Sequence, residues 1–212
     1  MSTYSHLEKA RKGAPFVAPN LSDLAFAALG SLPAFMALGF QVGLLVAGWW
    51  CLSLVIIKSD LEDLIIPNWA TAGIGILGIA HVAVDALSVS PHWPNIAIAI
   101  LVAIERAGFT FLGVAAFAFI FKSIIGRECL GFGDVKLSGA LAVWLGAYDL
   151  LITVELACFA ALALVGVAYL RDREAPPNGV IPFGAFLAPA GWLVYLGRAI
   201  CMGSGSWHSF LN

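Results

Sequence analysis

Gly43-Leu44-Leu45-Val46-Ala47-Gly48-Trp49-Trp50-Cys51-Leu52-Ser53-Leu54-Val55-Ile56-Ile57 is an unbroken uncharged run that ends abruptly on Lys58-Ser59-Asp60. Counting back to Leu21, the apolar block is far longer than the roughly 20 residues that cross a bilayer. Pro33 and the glycines Gly30, Gly39 and Gly43 offer break points, which predicts a short or tilted helix near 21–38 and a stronger one near 40–58. The rest of the chain repeats this texture. Of its 212 residues, 61% are hydrophobic and 11% charged, with mean hydropathy +0.94. A soluble domain carries about 25% charged residues, so too few polar groups remain here to face water. The expected fold class is all-α, a polytopic membrane helix bundle with six or seven transmembrane helices.

Further helices are predicted at about 68–87, 95–122, 150–170 and 180–200, with a short one running from the Gly131–Asp134 turn to near Gly146. Ser88–Pro94 reads as an uncharged loop with an interfacial Trp93, and Glu105-Arg106 with Gly108 is expected to interrupt the helix over 95–122. Residues 1–20 read as a polar cytoplasmic tail, 21–200 as one membrane domain and 201–212 as a short C-terminal tail. No internal repeat or low-complexity segment occurs, and the N-terminal residues lack the apolar core and small-residue site of a cleaved signal peptide. Cys51, Cys129, Cys158 and Cys201 contain no C-x-x-C pair, which argues against a zinc ribbon; three of them lie in or beside apolar segments and read as buried small hydrophobes.

If the helices alternate, all the lysines and arginines except Arg106 and Arg198 fall on one side of the bilayer. Positive residues accumulate on the cytoplasmic side. The N-terminus is therefore expected inside, in the cytoplasmic (inner) membrane. The net charge of -2 gives no reason to expect nucleic acid as a partner. Lys58, Lys122, Arg127 and Lys136 would form a basic rim against lipid phosphates.

Ionisable groups in a membrane domain are costly and usually functional. Asp172 and Glu174 read as loop residues, and Asp149 and Asp85 as solvated positions at the outer boundary. Glu105 with Arg106 reads as an intrahelical charge pair or a packing anchor. The inner edge holds Asp60, Glu62 and Asp63, followed by Pro67-Asn68, and, far along the chain, Asp134 in Gly131-Phe132-Gly133-Asp134-Val135-Lys136-Leu137. Asp60 and Asp63 stand three apart and can share one helix face; Pro67 pins the start of the next helix. Gly131 and Gly133 allow close backbone approach and unusual dihedrals, although an N-cap aspartate after a glycine turn is equally ordinary. Two carboxyl groups held close cannot both ionise easily, so one stays protonated as an acid while the other activates water. Such a pair can hydrolyse an amide without a metal or other cofactor.

Asp60-Leu61-Glu62-Asp63-Leu64-Ile65-Ile66-Pro67-Asn68, a D-x6-P-N pattern, together with the G-x-G-D at Gly131–Asp134, resembles the type IV prepilin peptidases, a family of intramembrane aspartic proteases. The resemblance extends over about 45–200 and includes Ile181-Pro182-Phe183-Gly184-Ala185-Phe186-Leu187. It implies Asp60 and Asp134 as the catalytic pair, with Gly131, Gly133, Lys136, Asp63, Pro67 and Asn68 in support or at the substrate, and no cofactor. It also implies a prepilin or pseudopilin substrate, contact with membrane lipid and with pilus assembly machinery, and an active site at the cytoplasmic face. Many bacterial members add a domain with two C-x-x-C pairs that methylates the new N-terminus; this sequence has no such pair and resembles the short branch serving tight-adherence (Flp-type) pili. The presenilin and signal-peptide-peptidase group shares G-x-G-D but pairs it with a helical Tyr-Asp, whereas Tyr148-Asp149 here lies after the G-x-G-D in a predicted outer turn. A small transporter relaying protons through the two aspartates would instead place them at the bilayer midplane, with internal repeats.

Overall fold

The computed structural model of the protein describes residues 21–126, 130–172 and 181–202. They form six helices and, among the described residues, no strand: α1 (Leu21–Asp63), α2 (Asn68–Val89), α3 (Trp93–Ile125), α4 (Phe132–Trp144), α5 (Ala147–Asp172) and α6 (Gly184–Met202). Five of these are long and apolar enough to cross a membrane; α4 is not. At about 1.5 Å per residue, the 13 residues of α4 reach only about 20 Å, against a hydrocarbon core of about 30 Å. The protein is a polytopic membrane helix bundle. The tail over 1–20, the C-terminal residues 203–212, Arg127, Cys129 and most of the Arg171–Asn178 loop lie outside the described residues.

The two helices expected at 21–38 and 40–58 are present as one bent element. The bend is at Gly39, whose φ of 74° and ψ of 174° no residue with a side chain adopts comfortably. Pro33 sits inside the helix without ending it. The interruption expected at Glu105-Arg106 does not occur. Helix α3 runs unbroken for 33 residues and stops at Gly126, a left-handed cap whose N–H donates to the Lys122 carbonyl at 2.9 Å. Arg106 is accommodated because its charge is used on a neighbouring helix rather than on its own.

Helix α4 is the axis of the bundle. Nine of its 13 residues are buried, including Leu137, Leu141 and Trp144, and it packs against α2, α3, α5 and α6 while α1 covers α2 and α6. Its far end is locked by aromatic packing, with the Trp144 ring centroid 4.6 Å from that of Trp49 and 5.4 Å from that of Tyr195. The Tyr195 hydroxyl and His81 Nε2 are 2.6 Å apart within this cluster. The expectation that the cysteines are buried is corrected: Cys51, Cys158 and Cys201 all lie on the outer surface. Lipid is as apolar as a protein interior, so hydrophobicity along these helices does not separate the face that packs from the face that meets lipid.

Candidate active site

Asp60 and Asp134 stand on separate helices, α1 and α4, and come within electrostatic reach at one end of the bundle. Asp60 lies in the last turn of α1 and is 5% exposed. Its Oδ2 accepts a hydrogen bond of 2.8 Å from the backbone N–H of Ala185, with the Gly184 amide beside it. Asp60 thus sits on the N-terminus of α6, where free amides and the helix dipole favour a negative charge.

Asp134 is reached through Gly131, the N-cap of α4. It is the third residue of the helix and not its cap, and its carboxyl group has the Gly131 backbone amide beside it. It is 8% exposed, and its Oδ1 is buried without a hydrogen-bond partner. The two carboxyl groups lie within electrostatic reach of each other. Buried polar atoms in folded proteins are nearly always paired, so an orphan carboxyl oxygen beside a second carboxyl group has the character of a reactive centre rather than of a structural joint.

Of the two uses expected for the glycines, close approach and unusual dihedrals, the second is not found. Among the described glycines only Gly39 and Gly126 have positive φ, so neither Gly131 nor Gly133 is present for an unusual dihedral. Gly133 is needed for room: a Cβ there would stand 3.1–3.2 Å from three side-chain carbons of Ile66. A Cβ on Gly184 would be 2.4 Å from Ile66 Cδ1 and 3.1 Å from Asp60 Oδ2. Ile66 is therefore wedged between the first turns of α4 and α6. It is carried there by a turn in which Leu64 adopts φ 55° and the Ser59 hydroxyl donates to the Ile65 carbonyl at 2.7 Å.

The remaining expected residues divide. Pro67 is the N-cap of α2, and its carbonyl accepts from the Thr71 N–H at 3.2 Å. Asn68 Oδ1 accepts from Lys136 Nζ at 2.9 Å, which ties the start of α2 to the first turns of α4; the same ammonium lies 4.6 Å from the centroid of the Phe132 ring. Lys136 is thus engaged with its own protein and is not simply part of a rim facing lipid. Asp63 does not share the buried face of Asp60. It is the last residue of α1 and is exposed, because the chain leaves the helix there. The solvated outer position expected for Asp149 is also corrected: Asp149 is buried and paired with Arg198. Asp85 is half-buried, with its Oδ2 3.6 Å from His81 Nε2.

The contribution of Gly184 and Ala185 to this centre was not anticipated from the residues themselves. The available signal was Pro182-Phe183-Gly184, a proline and a glycine bracketing the start of an apolar helix. Nothing in that local pattern says that a carboxylate from α1 will sit on it. Ile66 was equally silent, as one of two adjacent isoleucines.

The type IV leader peptidase family matches residues 45–166, which is more than half of the chain and contains both aspartates. The prepilin leader peptidase/N-methyltransferase of Dichelobacter nodosus is 34% identical over 181 residues, covering 83% of this chain and 56% of that protein. That of Legionella pneumophila is 30% identical over 164 residues, covering 76% and 53%. That of Pseudomonas aeruginosa is 38% identical over 94 residues, covering 44% and 32%. The chain spans about half the length, or less, of these curated relatives. No solved structure matches it significantly. Because that family match spans more than half of the chain, the chain belongs to the type IV leader peptidase family.

Proposed function

We propose that this protein is an intramembrane aspartic endopeptidase that removes the leader peptide from type IV prepilin-like substrates at the cytoplasmic face of the inner membrane. The observation that carries the proposal is the unequal environment of two neighbouring carboxyl groups. Asp60 is held by the α6 amides, whereas Asp134 keeps a buried oxygen without a partner. That inequality supports Asp60 as the ionised base and Asp134 as the protonated acid.

In the forward step Asp60 takes a proton from water as the water oxygen attacks the scissile carbonyl carbon. Asp134 gives its proton to the carbonyl oxygen, forming a gem-diol. Collapse of the gem-diol returns one hydroxyl proton to Asp134 while Asp60 delivers its proton to the departing amine nitrogen, which breaks the C–N bond and restores both carboxyl groups. The exposed Gly131 ahead of α4 leaves backbone accessible to an extended peptide. Prepilin as substrate is supported by the relatives' names; pilus assembly machinery downstream and lipid around the helices are part of the same proposal. Cytoplasmic placement follows from the bias of basic residues, among which Lys58, Lys122 and Lys136 lie near the helix ends that carry the aspartates.

The test is purification of the 212-residue chain in detergent with a prepilin and a sulfonium methyl donor, followed by mass spectrometry of the products. Two fragments from a single cut at the leader junction are expected, and an intact precursor would overturn the proposal. The mature fragment is expected to carry a bare N-terminal amine, because no C-x-x-C pair occurs among these residues. A gain of one methyl mass would reveal a second activity in the same chain.

A further inference from the structure

The end of α4 remote from Asp134 is held by a cation that leader cleavage does not use. Helix α4 is too short to cross a bilayer, so its C-terminal carbonyls end inside the bundle, where an unpaired one is expensive. Their partners can be traced. The Leu141 carbonyl accepts from the Leu145 N–H at 3.0 Å. The Ala142 carbonyl accepts from Arg106 Nε at 2.6 Å, and the Val143 carbonyl from Arg106 Nη2 at 2.8 Å. One planar guanidinium on α3 thus closes two carbonyls of α4 in a fork that a lysine ammonium cannot reproduce. A cation also suits the negative end of the helix dipole. Asp149 lies within electrostatic reach of the same guanidinium and is itself bound to Arg198, so α3, α5 and α6 converge on this one helix end.

The geometry points to Arg106 as a positioning residue for Asp134. Helix α4 is a short rigid rod with Asp134 in its first turn and Arg106 on its last, and sliding or rotating the rod moves the carboxyl group relative to Asp60. A carboxyl pair tolerates little of this, since a misplacement of about 1 Å costs about 100-fold in rate. Lys136 with Asn68 holds the near end of the rod, and the tight fit of Ile66 against Gly133 leaves no slack there. Arg106 therefore acts on catalysis through the backbone of α4, about 13 Å along the helix from Asp134 at 1.5 Å per residue, without touching substrate.

This inference rests on the aspartic-peptidase proposal, and one kinetic series separates the two. Prepilin cleavage is measured in detergent for Arg106→Leu, Arg106→Lys, Glu105→Gln and Asp134→Asn, recording kcat and KM separately and the melting midpoint of each protein. Arg106→Leu is expected to lower kcat about 100-fold with KM within about twofold, while Arg106→Lys, which can still cap one carbonyl, recovers to within about tenfold of the wild type. Glu105→Gln is expected to match the wild type, because Glu105 is exposed and serves only as a neighbour control. Unchanged kcat in Arg106→Leu would overturn the positioning role, as would a rise in KM with kcat preserved. So would failure of both Arg106 variants to accumulate as folded protein, since Arg106 would then be a residue of the fold alone. Cleavage retained in Asp134→Asn would instead remove the peptidase proposal on which the role depends.

Discussion

The two ends of α4 face the same problem and resolve it in opposite ways. Both bring polar atoms into the bundle, carbonyls at the C-terminal end and the 8%-exposed carboxyl group of Asp134 at the other. At the C-terminal end the carbonyls of Leu141, Ala142 and Val143 each have a donor, and Trp144 Nε1 donates to the Ile74 carbonyl at 2.9 Å. At the N-terminal end, one turn into the helix, Asp134 Oδ1 has none. A buried end that is fully paired is a joint, and its value lies in rigidity. A buried carboxyl oxygen left free beside another carboxyl group has its hydrogen bond still to make, and a substrate carbonyl or a water molecule can make it. The difference teaches where chemistry can occur in a bundle whose helices are otherwise uniformly apolar.

The largest expected effect breaks the comparison at its reactive end. Asp134→Asn and Asp60→Asn should each lower leader cleavage by at least about a thousandfold while the protein still inserts and accumulates, because an amide keeps the shape and cannot exchange the proton. Acting as one unit, the pair should give a double variant no slower than either single one. Precursor and mature pilin separate on a gel, and mature product from Asp134→Asn would end the distinction between the two ends of the helix. A smaller loss is expected from the wall of the same end. Gly184→Ala puts a methyl group 2.4 Å from Ile66 Cδ1 and 3.1 Å from Asp60 Oδ2, which forces Ile66 or the first turn of α6 to move. Cleavage should fall about tenfold to a hundredfold. Gly113→Ala on α3, where nothing lies within 4 Å of the new carbon, should leave the rate unchanged.

At the paired end, loss of a partner should read as stability before it reads as rate. Asp149→Ala removes the carboxylate from Arg198, a pair in which the two side chains are 7% and 17% exposed. Breaking a buried pair costs about 3 kcal/mol, so the melting midpoint in detergent should drop well below that of the wild type. Cleavage per folded molecule should fall far less than in the Asp134 variant. An Asp149→Ala protein with wild-type melting would show that the cluster around the end of α4 is not the joint inferred from its hydrogen bonds.

Much of the architecture was legible because the bilayer imposes a length rule. Apolar runs of sufficient length marked the spanning helices, and Gly39, Pro67 and the Gly131 turn marked the ends and bends at which α1, α2 and α4 are punctuated. What could not be read is which face of each helix turns inward. In water the apolar stripe identifies the buried face, whereas here lipid accepts the same side chains. Cys51, Cys158 and Cys201 therefore looked buried and are not, while Asp149 looked solvated and is buried. Scarcity of charge narrowed the carboxyl candidates to Asp60, Glu62, Asp63 and Asp134, and only the resemblance of the D-x6-P-N and G-x-G-D blocks singled out Asp60 with Asp134. Contacts that join distant segments, Ala185 with Asp60 and Arg106 with Ala142 and Val143, carry no local signature. Each depends on a backbone group, an N–H at Ala185 and carbonyls at Ala142 and Val143, and nearly every residue carries both.

The smallest expected effect bears on that missing inward face. Asp60 and Asp63 are separated by one helical turn, and the sequence allows either to be the first member of the pair. In the fold they part company because α1 ends at Asp63. The Leu64 N–H closes back on the Asp60 carbonyl at 3.1 Å, Leu64 turns to φ 55°, and the chain then drives Ile66 inward between Gly133 and Gly184. Asp60 is left pointing at the start of α6, and Asp63 is left at the exposed end of the helix. Asp63→Asn should therefore change the cleavage rate by no more than about twofold, the range of an exposed substitution, in the assay that finds Asp60→Asn inactive. The reverse result, with Asp60→Asn active and Asp63→Asn inactive, would move the first carboxyl group by one turn of α1. The amides of α6 would then hold a carboxylate that takes no part in the chemistry, and the free oxygen of Asp134 would need a different neighbour.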